Sequence, residues 1–139
     1  MRQLVIAAAL LAAAAFSAPA GAEPKVVGGG TSEICAAAVL DARSDAHTGV
    51  ADCTDALKYQ PMSMVDRIAT TINRGTLRSR AGDLTGALAD FSDAISMDAA
   101  NAGAYLNRSA TLLGLKRYGE AKADADMAIR LHAMPTEVA

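Results

Sequence analysis

The chain has 139 residues, a formal net charge of -2 and 52% hydrophobic residues, with 4% aromatic residues and no Trp. One domain fits this length and two sizeable ones do not, while so much apolar residue with so little net charge excludes a disordered chain. The balance of 13 Lys+Arg against 15 Asp+Glu supplies no positive field for nucleic acid, and apolar mass drawn from Ala, Leu, Ile and Val favours close-packed helices over an aromatic-rich sheet core.

Met1-Arg2-Gln3 is a short positive start, Leu4 to Phe16 is unbroken apolar sequence, and Ser17 to Ala22 are small residues with one Pro. This pattern predicts a secretory signal peptide over residues 1–22, cleaved after Ala22, with Ala20 as the alternative site. The apolar run has 13 residues, short of the roughly 20 that a spanning helix needs. No stable membrane insertion is therefore expected after cleavage. A short, Ala-rich signal points to a bacterial periplasm. Cys35 and Cys53 are the only cysteines, and in an oxidising compartment a pair of this kind predicts one disulfide.

Residues 23–30 read as a flexible linker, with Pro24 and the run Gly28-Gly29-Gly30. That glycine run lacks the Gly-Lys-Ser/Thr ending of a phosphate-binding loop. Helical patterning follows. A first helix, capped by Thr31 or Ser32, is interrupted at Asp41 to Asp45. A second ends at Gln60, because Pro61 cannot continue a hydrogen-bond ladder. A third spans about Met64 to Arg80, a fourth about Leu84 to Met97, a fifth about Ala102 to Leu113, and a sixth about Tyr118 to His132. Nothing alternates with the period of a strand. Residues 136–139 are a tail.

Self-similarity organises these helices. Ala51-Asp52-Cys53-Thr54-Asp55-Ala56-Leu57, Ala89-Asp90-Phe91-Ser92-Asp93-Ala94-Ile95 and Ala123-Asp124-Ala125-Asp126-Met127-Ala128-Ile129 share Ala-Asp-x-x-x-Ala-Leu/Ile. The second and third copies are offset by 34 residues, as are Asn73-Arg74-Gly75 and Asn107-Arg108-Ser109; the first and second are offset by 38. The chain thus resembles the tetratricopeptide repeat family, whose unit is a 34-residue helix–turn–helix with small residues where its helices cross. Ala37, Gly75 and Ser109 match the small position of the first helix. Gly49, Ala87 and Ala121, and then Ala56, Ala94 and Ala128, match those of the second. The family's second-helix aromatic is kept only as Phe91, and its closing Pro only as Pro61.

The resemblance implies an all-α fold, an α-α superhelix (solenoid) of three stacked helix–turn–helix hairpins preceded by the signal peptide. The repeat domain would cover residues 31–135, with units at about 30–63, 68–101 and 102–135. It also implies a non-catalytic protein–protein interaction module or scaffold of the bacterial envelope. Such a module would hold a peptide segment or partner helix on the concave face, which Asn73, Thr76, Arg80, Asn107 and Ala110 should line. An amide carries both donor and acceptor, so Asn73 and Asn107 suit a peptide backbone.

Arg74 and Asp90 are 16 residues apart, and so are Arg108 and Asp124. The equivalence predicts structural interhelical ion pairs. Arg67, Arg74, Arg78 and Arg80 make the third helix locally basic, which suits a solvated face or an acidic partner about equally. The last helix offers a side around Ala125, Ala128 and Leu131 for a partner or for self-association. No catalytic set, metal-ligand spacing or cofactor motif appears. The alternative function is a small thiol/disulfide-active periplasmic protein using Cys35 and Cys53.

Overall fold

Asp45, Ser63, Asp83 and Asn101 each turn a side-chain oxygen onto a backbone N–H two or three residues on, and a helix begins after each. These caps satisfy donors that a helix start would otherwise leave unpaired. The computed structural model describes residues 31–133; the predicted signal peptide, the linker and the chain from residue 134 onward lie outside the described residues. The six helices are α1 (Thr31–Leu40), α2 (Ala46–Tyr59), α3 (Met64–Arg80), α4 (Leu84–Met97), α5 (Ala102–Gly114) and α6 (Tyr118–Ala133). The described residues contain no strand, and the fold is all-α.

Thr31 and Ser32, expected to cap α1, instead lie within it. The Ser32 N–H donates to Gln60 Oε1 at 3.1 Å, so a side chain from the end of α2 holds this first turn.

The 34-residue offset is carried by the backbone itself. Gly82 and Lys116, 34 apart, both take the left-handed conformation, with φ of 86° and 60°. Each ends its helix in the same way. Asp83 N–H reaches back to Arg78 O, and Arg117 N–H to Leu112 O, both at 2.9 Å. This six-residue closure satisfies the last carbonyls of a helix, and it favours Gly at the left-handed position. Lys116 adopts that conformation against its side chain's preference.

The longer first offset also has a physical form. The links α2–α3 and α4–α5 are the same length, residues 60–63 and 98–101. The four additional residues form one more turn at the start of α3, which has 17 residues against 13 in α5. Within that turn Arg67 Nη1 donates to Leu57 O at 3.3 Å, closing the end of α2.

Each helix packs on its neighbours in chain order, and α3 also touches α1 and α5. Small residues set the crossings. A β-carbon on Gly49 would lie 2.9 Å from Ala38 Cβ and 2.9 Å from Leu77 Cδ1, so α1, α2 and α3 meet there with no spare space. Ala38, not Ala37, is thus the small residue of α1 at this crossing; Ala37 is exposed. Ala87, Ala94 and Ala104 are fully buried. Ser109 is buried and donates through Oγ to Ala121 O at 2.7 Å, tying α5 to α6. The core divides into a cluster of Cys35, Ala38, Cys53 and Leu77 and a second of Ile68, Ala94 and Ala104. Phe91 is the largest buried side chain, and covering it contributes about 2–3 kcal/mol.

Candidate interaction surface

Cys35 and Cys53 form a disulfide between α1 and α2, with a Cα–Cα distance of 4.8 Å. Both residues are fully buried beside Leu77. The bond staples the first hairpin and presents no sulfur to solvent.

The polar residues linking first helices to second helices are also turned inward. Arg74 grips Asp90 with two parallel bonds, Nε to Oδ2 at 3.1 Å and Nη2 to Oδ1 at 2.7 Å. Arg108 does the same to Asp124 at 2.7 and 2.8 Å, and its Nη1 reaches Ser92 Oγ on α4 at 3.2 Å. The Asp124 hydrogen bond is the main cause of an Arg108 guanidinium held above its ordinary pKa, against the opposing effect of burial. Asp90 is 1% exposed and takes a second cation, Arg78 Nη1 at 2.9 Å. Sequence reasoning missed Arg78 because its counterpart one repeat later is Leu112, so no periodicity marks it.

Each of the α3 arginines makes a hydrogen bond within the fold. Arg67 closes α2, and Arg74 and Arg78 neutralise Asp90. Arg80 donates to Ala38 O at 3.1 Å and Val39 O at 2.8 Å, satisfying the last carbonyls of α1.

Three of the five residues expected on the inner face converge. Thr76, Asn107 and Ala110 line a cleft of about 170 Å3 between α3 and α5, with Ser79, Leu84, Phe91 and Thr111. Ser79 and Thr111 share a hydrogen bond of 3.2 Å across it, and Thr76 Oγ1 donates to Ile72 O on its own helix. The Asn107 side-chain amide has no hydrogen bond among the described residues, and it remains able to donate and accept. Asn73 is half-buried on α3 outside this cleft.

Leu106 and Leu113, 59% and 52% exposed, flank Ala110 along the same stripe of α5. Their spacing is that of one helical face. Leu112, adjacent to Leu113, is the buried one.

Among the described residues no three His, Cys, Asp or Glu side chains gather as metal binding would require, and no helix is long and apolar enough to cross a membrane. No known family model matches this chain, and no curated protein matches it.

Proposed function

We propose that this domain is a tetratricopeptide-type stack acting as a non-catalytic binding module in the bacterial envelope, reached through the N-terminal export signal. It holds an apolar segment of a partner protein in the groove between α3 and α5. The observation that carries this reading is the exposed stripe Leu106, Ala110 and Leu113 beside a cleft holding an uncommitted amide, Asn107. Large exposed apolar residues in register along one helix mark a surface meant to be covered. The neighbouring hydroxyls bond within the fold, so the groove selects for apolar side chains and leaves Asn107 for a backbone contact.

The repeat reading draws support from the equivalent left-handed residues Gly82 and Lys116 and from the equivalent pairs Arg74–Asp90 and Arg108–Asp124. Against the thiol/disulfide-active alternative stands burial. Exchange requires a thiolate to reach a sulfur, and both cysteines are 0% exposed.

Selection of displayed peptides on the exported protein tests the proposal. Selected peptides should be rich in Leu, Ile, Val or Met. Ala110→Arg, which drives a long side chain into the groove, should weaken their binding about a hundredfold, while Ala89→Arg on the exposed side of α4 should not. Selected peptides that bind Ala110→Arg as well as the parent would overturn it.

A further inference from the structure

The second copy of the repeat shows what its second helix does with its outer side. On α4, Leu84 packs against Gly114 of α5, with Cδ1 3.1 Å from where a β-carbon would sit, and Ser92 Oγ accepts from Arg108. Leu88 and Ser92 share a cavity wall with Arg108 and Leu112. Ile95 packs on the cluster holding Ala104. Leu84, Leu88, Ser92 and Ile95 are accordingly all half-buried.

Translation by 34 residues gives Tyr118, Lys122, Asp126 and Ile129 on α6. No described helix covers them. Tyr118 is 64% and Ile129 67% exposed, and the Lys122 and Asp126 side chains are 77% and 46% exposed. Ala125, at the position of Phe91, lies between them. The stripe Tyr118, Lys122, Ala125, Ile129 has spacings of four, three and four, those of a helix–helix seam.

We infer that this face of α6 pairs with the same face of a second copy, the two helices antiparallel and crossing midway between Lys122 and Ala125. The stripe is complementary to itself under a two-fold axis. Tyr118 meets Ile129 of the second copy at each end. Lys122 comes within reach of Asp126 of the second copy, and the reverse contact is made by symmetry. Ala125, next to the centre, lets the backbones approach closely. Each Lys122 already holds its own Asp126 at 2.7 Å, so the four groups close into an alternating network rather than leaving like charges opposed. One helix per partner is a small interface, and the dimer is correspondingly weak. A partner helix from another protein would need no such reciprocity of charge. The inference is independent of the α3–α5 groove, which lies on other helices.

Sedimentation equilibrium on the exported chain, from micromolar to millimolar concentration, tests it. The parent should pass from monomer to dimer. Ile129→Asp should abolish the dimer. Lys122→Glu should weaken it about tenfold, and Lys122→Glu combined with Asp126→Lys should restore it. Far-UV circular dichroism checks that each variant is helical, and should Ile129→Asp not fold, the charge exchange carries the test. Ala125→Cys should form a covalent dimer on oxidation, which a head-to-tail contact would not give. A monomeric mass throughout the range overturns the inference. So does a dimer that survives both Ile129→Asp and Lys122→Glu, or one that Ala125→Cys fails to crosslink.

Discussion

Gly75 on α3 and Phe91 on α4 occupy adjoining space so closely that a β-carbon on Gly75 would lie 2.8 Å from Phe91 Cε1 and 3.1 Å from Asp90 Cβ. The helices approach at this point because one residue has no side chain and the next helix fills the gap with an aromatic ring. Gly75→Ala would gain about 1 kcal/mol of helix propensity and lose about 1–3 kcal/mol to overpacking of a buried ring. Asp90 Cβ is fixed to the backbone of α4 and cannot move aside as a ring tip can, so the loss wins. Urea denaturation should show a net destabilisation of about 1–2 kcal/mol. Gly82→Ala, in open space, would instead act through its positive φ alone.

Removing Asp90 should be more damaging than removing Asp124. Asp90 bonds two guanidiniums, Arg74 and Arg78, and is itself sealed from water. Asp90→Ala leaves Arg74 partly buried without a partner and strips Arg78 of its shorter carboxylate contact, leaving it Asp83 at 3.8 Å and Gly86 O at 3.3 Å, a loss of about 3 kcal/mol. Asp124→Ala strands only Arg108, and its pair is more open, at 24% and 10% exposure. Thermal denaturation of the two variants side by side should place Asp90→Ala well below Asp124→Ala; equal losses would show that Arg78 adds nothing.

How far the sequence revealed this depends on what repeats. The helix limits and the spacing of 16 between Arg74 and Asp90, and between Arg108 and Asp124, recur, so pattern alone located them. Arg78 and Arg67 do not recur, and their targets, a buried carboxylate and a helix-end carbonyl, exist only once the helices are docked. The offset of 38 between the first two copies was visible, but its form as an extra turn of α3 was not, because Met64 to Arg67 continue the helical pattern without a break. Of the residues expected together from equivalence, Thr76, Asn107 and Ala110 line one cleft. Arg80 looked identical in kind, yet its guanidinium closes α1. Sequence could not separate outward-facing Leu106 and Leu113 from core, since apolar periodicity does not say which side is covered.

The Cys35–Cys53 bridge closes a loop of 18 residues in sequence separation and should contribute about 3 kcal/mol, chiefly by restricting the unfolded chain. Native protein should show no reactive thiol, and mild reductant should act slowly because both sulfurs are buried. Two thiols should appear once denaturant is added with the reductant. Cys35→Ala with Cys53→Ala should lower the denaturation midpoint, with α1 losing amide-exchange protection first.

Acid should weaken the fold through exposed carboxylates. Asp126 is held below its ordinary pKa of 3.8 by the Lys122 hydrogen bond, Glu120 below 4.5 by Arg117, and Asp45 below 3.8 by the Thr48 hydroxyl and N–H. The folded state therefore binds fewer protons than the unfolded chain in this range. Their stabilisation is present above the ordinary carboxylate values and is lost as pH falls through the lower folded values. Denaturation midpoints should be flat above about pH 5 and fall toward about pH 3. Glu120→Gln with Asp126→Asn should flatten that fall, and added salt should shrink it, because these pairs are solvent-screened.

The α3–α5 groove is the proposed seat of the partner. A photoactivatable residue placed at Ala110 in cells producing the protein, with a second at Ala89 as control, measures this directly. One discrete covalent product should form from Ala110 and none from Ala89, and the Ala110 product should be lost when Leu106 and Leu113 are both changed to Glu. Crosslinking that is equal at the two positions, or indifferent to those leucines, would contradict it.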